Sequence, residues 1–150
     1  MLFSRLNRTD PEKVFVCVKA GEALLAGRPV CFHFSGTDDG KMGYLSNEAC
    51  DATLTIGAAD KAIASNDYGL VQCYGFRSDA PITNGSTTPV GGSGAILNVA
   101  SALSGHFSLS VSVGAATAMN PMFVLAHSTS LATTASSDGT QTAGIFIRCM

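Results

Sequence analysis

The chain has 150 residues, a net charge of −2, and 46% hydrophobic against 13% charged residues. That is enough apolar material for a packed core, which excludes a disordered chain, and there is no basic excess to serve direct nucleic-acid binding. Sixteen glycines, abundant Ser and Thr, and no Trp favour short strands and many turns over helices.

Charge is unevenly placed. From Ala80 to Ile147 the only charged residue is Asp138. A stretch so poor in charge suits a surface covered by its own sheets or by partner subunits. No apolar segment follows the basic residues of Met1–Arg8, and no run approaches the roughly 20 apolar residues of a membrane span, so synthesis in the cytoplasm and no membrane association are expected. The five cysteines (Cys17, Cys31, Cys50, Cys73, Cys149) lack short paired spacing and read as small buried hydrophobes of a reducing compartment.

Residues 1–13 read as an extended arm and 14–150 as a single β-rich domain. Val14–Val18 is wholly apolar and predicts a strand buried on both faces. Gly21–Gly27 is a turn-like link. Pro29–Phe34 predicts the next strand, with Val30, Phe32 and Phe34 on one face and Cys31 and His33 on the other. Ser35–Gly40 has the composition of a reversal. Thr53–Ile56 alternates as a short strand, and the alanine-rich Ala58–Ser65 is the best helix candidate. Asn66-Asp67 then punctuates the chain before a central strand, Gly69–Phe76. Gly69 and Gly75 bracket that strand, where glycine marks a bulge or a close backbone approach.

Ser78–Gly94 reads as loop. Ala95–Ala100 predicts a strand, with a helix running on through Leu103 as the alternative, and Met122–Ala126 predicts another strand. His106–Val113 alternates cleanly, with Phe107, Leu109, Val111 and Val113 on one face and three serines on the other. Ser128–Thr142 reads as an exposed loop or hairpin tip, and Gly144–Met150 as a terminal strand that must be paired. No internal repeat is legible. The expected fold is all-β, mainly antiparallel: a small barrel or sandwich of about eight short strands with long Ser/Thr/Gly-rich loops and at most one short helix.

No arrangement of residues carries an enzyme assignment. Ser93 lacks the outer glycine of a nucleophile elbow. Cys31 and His33 share a strand face, but side-by-side placement does not activate a thiol. Cys31, His33, His106 and His127 match no zinc spacing, Asp38-Asp39-Gly40 lacks the spacing of a calcium loop, and Gly91–Gly94 lacks the Lys-Ser/Thr of a phosphate loop. No catalytic residue, metal or cofactor is expected.

The stretch Ala58-Ala59-Asp60-Lys61-Ala62-Ile63-Ala64, followed by Asp67-Tyr68-Gly69-Leu70-Val71-Gln72-Cys73-Tyr74-Gly75, resembles a family of tailed-phage head decoration, or cement, proteins. These have an alanine-rich segment and then an acidic-Tyr-Gly-Trp-Val-Gln-x-Tyr-Gly strand. The match covers about residues 56–76, departing at Leu70, where the family has Trp, and at Asn66-Asp67, where Gly-Glu is common. Val14–Val18, Gly21-Glu22-Ala23, Pro29-Val30 and the terminal Phe146–Met150 agree more loosely.

The resemblance implies a non-enzymatic subunit on the outer surface of an icosahedral head, stabilising contacts between capsomers after synthesis in the host cytoplasm. Its partners would be the major capsid protein and itself, as a homodimer or homotrimer, with no nucleic acid and no membrane. On that reading Leu2, Phe3, Arg5 and Arg8 of the arm are the capsid-contact candidates, and Tyr68, Gly69, Val71, Gln72, Tyr74 and Gly75 form the central strand. The loops Ser78–Gly94 and Ser128–Thr142 would supply further contacts. A rival reading is a carbohydrate- or cell-surface-binding β module stacking sugars on Tyr44, Tyr68 and Tyr74. A second rival is a small esterase or protease.

Overall fold

A computed structural model describes residues 12–34, 40–46, 55–83, 96–99, 105–109, 123–125 and 140–149. These form nine strands and, among the described residues, no helix: β1 Val14–Ala20, β2 Pro29–Phe32, β3 Met42–Leu45, β4 Thr55–Ala59, β5 Tyr68–Thr83, β6 Ile96–Val99, β7 Phe107–Leu109, β8 Phe123–Leu125 and β9 Thr140–Arg148. The protein is all-β, with mostly antiparallel pairing.

The ladder closes on itself twice. One circuit runs β1–β3–β2–β4–β5 and returns to β1; the other runs β5–β7–β6–β8–β9 and returns to β5. Each contains one parallel pairing, β1 with β3 and β5 with β7. The 16-residue β5 belongs to both circuits, and Tyr74 is its handover point, opposite Val14 of β1 and Arg148 of β9. Each of the nine described strands thus has a neighbour on both sides, although β3 meets β1 only at Lys19 and Ala20.

Each circuit encloses its own core. Val18, Ala20, Leu24, Val30, Ala59, Ile63 and Val71 pack in the first. In the second, Ile82, Leu97, Ile145 and Ile147 surround Phe107 and Phe123, whose rings lie 4.8 Å apart. The β4–β5 wall is shared. Ala59 and Val71, opposite each other, face the first core, whereas Ala58, opposite Gln72, packs in the second. Alternation along a strand thus lets one pair of strands serve two cores.

A local twofold repeat organises the first circuit. Both β1 to β2 and β4 to β5 are joined by a bend, one bridging residue (Leu24 or Ile63) and a tight turn. Ala20 donates to Asp67 O at 2.8 Å, and its counterpart Ala59 donates to Arg28 O at 2.9 Å. Asn66 donates to Ala20 O at 2.7 Å, and Gly27 to Ala59 O at 2.8 Å. The two turn residues share left-handed backbone, with φ of 77° at Gly27 and 69° at Asn66, residue types that tolerate it. The symmetry breaks where β3 inserts between β1 and β2, whereas β4 and β5 pair directly.

Several expectations need correction. Ala58–Ser65 is not a helix: Ala58 and Ala59 end β4, and Ile63 makes the bridge to Leu24. Alanine's helix propensity is worth only tenths of a kcal/mol per residue, and pairing with β2 and β5 outweighs it. Val14–Val18 is not buried on both faces, since Phe15 and Cys17 are exposed. The central strand does not stop at Phe76. It continues to Thr83 through a bulge, where Arg77 and Ala80 of β5 oppose Ile145 and Ala143 of β9, one residue more on β5. β9 begins at Thr140, inside the stretch read as loop, and β3 was not anticipated. The arm residues 1–11 and most of the two long loops lie outside the described residues.

The cysteines also differ from expectation. Cys31 is disulfide-bonded, to a partner outside the described residues; Cys17 is a free, exposed thiol, and Cys73 and Cys149 are free and largely covered.

Candidate functional site

The β1–β5 ladder turns one face into the first core and the other outward. Val71 and Val18 point in, fully or almost fully buried. On the outward face Cys17 stands opposite Leu70, and Lys19 opposite Tyr68. Residues opposite one another in an antiparallel pair share a face, so these four side chains form one patch. Phe15, two residues before Cys17, extends it. Tyr68 is 72% exposed, Leu70 49% and Phe15 38%, an apolar stripe; Leu25 and Phe34 are exposed elsewhere among the described residues.

A groove lies on either side of Tyr68. One, of about 410 Å³, is walled by Lys19, Lys41, Phe32 and Met42. The other, about 300 Å³, is walled by Asp60, Lys61, Ile63, Asp67 and Leu70. Among the described residues, the first is lined by two lysines and no carboxylate, and the second by two carboxylates and one lysine.

The remaining residues of the predicted central strand pack around this face. Gly69 lies against Ile63, whose side chain occupies the space a Cβ would need. Gly75 has φ of 104°, and a Cβ there would strike the backbone of Glu12. Gln72, 1% exposed, donates from its amide nitrogen to Tyr74 O and Phe76 O, both at 3.2 Å, on either side of the left-handed Gly75. Tyr74 packs edge-on against Phe146, ring centroids 5.3 Å apart. Among the predicted central-strand residues, then, only Tyr68 is a surface group. Leu2, Phe3, Arg5 and Arg8 lie outside the described residues.

Arg77, which the sequence did not single out, is 5% exposed beside the bulge. Its Nη2 donates to Asp60 O at 3.1 Å and to Asp79 Oδ2 at 3.0 Å. Nε lies 2.8 Å from Asp79 Oδ1 as an ion-pair contact outside hydrogen-bond alignment. Asp60 follows β4, so this side chain ties the turn before β5 to the bulge within it.

The nucleophile and ligand candidates do not assemble. Cys31 has no free thiol, and the His33 ring lies 5.1 Å from that of Tyr44. Among the described residues, no group of three or more His, Cys, Asp or Glu side chains converges as a metal site. Tyr44 and Tyr74 wall neither groove beside Tyr68. Burial pushes the Cys149 thiol up to about 12, with the neighbouring Cys73 adding to the effect.

Phe15, Cys17 and Leu70 were not legible as a stripe because Val14–Val18 is apolar at every position, giving no alternation from which to read a face. No protein-family model and no curated protein matches the chain.

Proposed function

We infer that this is a structural subunit that works by surface contact, of the capsid decoration kind: it binds the outside of an icosahedral head and holds neighbouring capsomers together. The observation that carries the reading is the exposed stripe Phe15–Cys17–Leu70–Tyr68 on the outward face of the β1–β5 ladder. A face presenting Tyr, Leu and Phe has the composition of an interface centre. The charge-poor second half and the resemblance over residues 56–76 favour the same reading. Many copies of a modest contact, repeated by symmetry, add up to strong attachment.

The test is cosedimentation of purified protein with undecorated heads, counting copies per particle. Saturation at a whole multiple of the symmetry-related sites supports decoration; no binding overturns it. Arg5 and Arg8 replaced together by Ala should lower occupancy without lowering stability. The carbohydrate reading has less support, since Tyr44 and Tyr74 pack against His33 and Phe146 and leave Tyr68 alone to stack a sugar.

A further inference from the structure

We propose that the outward face of the β1–β5 ladder is the contact between two copies of this chain, related by a twofold axis passing beside Tyr68 and Leu70. The proposal rests on the stripe being a contact face, but not on the capsid as its partner.

Three observations select a second copy as the occupant. First, β1 and β5 pair with each other from Val14–Tyr74 to Lys19–Tyr68, so the stripe lies on the face of a formed ladder, where a partner docks by side chains and not by adding a strand. Second, among the described residues the face has opposite charge on its two flanks, with Lys19 on one side of Tyr68 and Asp60 and Asp67 on the other. A partner of one sign would gain on one flank and be repelled on the other. A twofold rotation exchanges the flanks, setting Lys19 of each copy opposite Asp67 of the other. An isologous interface has this property by construction.

Third, the charges needed are available. Among the described residues neither Lys19 nor Asp67 forms an ion pair within its own subunit, whereas Asp60 is engaged by Arg77. The apolar centre would come from Tyr68, Leu70 and Phe15, with Cys17 covered between them. Two charged contacts, Lys19–Asp67 and its symmetry mate, would set the register around it.

The experiment is sedimentation equilibrium of the full chain, kept reduced so that exposed Cys17 cannot cross-link copies. The wild type should form a dimer. Lys19→Asp and Asp67→Lys should each weaken it by about tenfold or more, because each places like charges together twice. The doubly exchanged variant, Lys19→Asp with Asp67→Lys, should return to within about threefold of the wild type, a recovery that general damage to the fold cannot produce. Leu70→Asp should leave a monomer with unchanged circular dichroism and melting. In the wild type, alkylation of Cys17 should slow as concentration rises through the dimer range.

A wild type that stays monomeric, assembles as a trimer, or fails to recover in the exchanged variant while all variants remain folded would overturn the proposal. The two readings separate cleanly. A dimer that ignores heads supports this interface and removes decoration. A monomer that loses head binding on Leu70→Asp removes this interface and assigns the stripe to the capsid.

Discussion

Leu24 and Ile63 face each other across the local twofold axis of the first circuit, each donating its amide to the other's carbonyl at 2.9 Å. Both side chains are buried in the same core, 1% and 6% exposed. Around this pair the two halves repeat their turns, so equivalent substitutions in the two turns can be compared directly.

The left-handed turn positions should respond unequally. Gly27→Ala should destabilise by about 1–3 kcal/mol, because φ is positive and the new Cβ would lie 2.6 Å from Asp79 O. Asn66→Gly should change stability by less than about 1 kcal/mol, since glycine accepts the same φ. Urea denaturation of the two variants checks this, and equal losses would contradict it.

Gln72→Met keeps the side-chain volume but removes the donor that serves Tyr74 O and Phe76 O. A cost of about 1–3 kcal/mol is expected from the loss of these two hydrogen bonds. Gln72→Glu should cost more at neutral pH and recover partly in acid, because an ionised carboxylate would face two carbonyl oxygens and its protonated form can donate. Melting temperature against pH measures both.

Arg77→Met should destabilise by about 1–3 kcal/mol, and Arg77→Lys should restore little of it, because an ammonium lacks the planar fork that reaches Asp60 O and both Asp79 oxygens. The carboxylates of Asp60 and Asp79 are 35% and 58% exposed and regain water once the arginine is gone, which keeps the loss below that of a fully buried pair. Urea midpoints of both variants test the order.

Thiol chemistry should separate Cys17 from Cys149. Exposed Cys17 should react with iodoacetamide at neutral pH, while Cys149, pushed up to about 12 mainly by burial, should stay unmodified in the folded protein. Since the unfolded thiol ionises near 9.0 and the folded one near 12, the unfolded state loses its proton first. Stability should therefore fall as pH rises from 9 toward 12, by up to about 1.4 kcal/mol per unit. Cys149→Ser, compared with the wild type in alkaline urea melts, should flatten that slope.

The strand content was legible because β-branched and aromatic residues cluster between turn formers, as in Val14–Val18, Gly69–Phe76 and Phe107–Leu109. The close backbone approach at Gly75 was legible from a glycine inside strand pattern, whereas Gly69 is crowded by the Ile63 side chain and not by backbone. The repeat was not legible. Of its two segments only Ala20/Ala59 and Ala23/Ala62 are identical, and what they share is backbone geometry that Gly27 and Asn66 reach with different side chains. The passage of β5 through Ser78–Pro81 was hidden by its loop-like composition, since a bulge and a proline opposite Thr142 are tolerated once β9 supplies the ladder. Arg77 was hidden with it, as one cation in an apparent loop. The stripe depends on which face of β1 looks out, a question settled by packing and not by local pattern.

The sharing of β5 between the two circuits also sets an order of assembly during synthesis. By the time Tyr74 has left the ribosome, every strand of the first circuit exists and that ring can shut around its own apolar interior. The downstream half of β5 must then wait for β9, the last of the nine described strands in chain order, which pairs with it from Tyr74 to Thr83. Contacts that join distant parts of a chain form slowly, so the nascent protein carries a finished ring and a dangling ribbon at the same time. Truncation before Thr140 would make that interval permanent, and such products should be the aggregation-prone species of this protein.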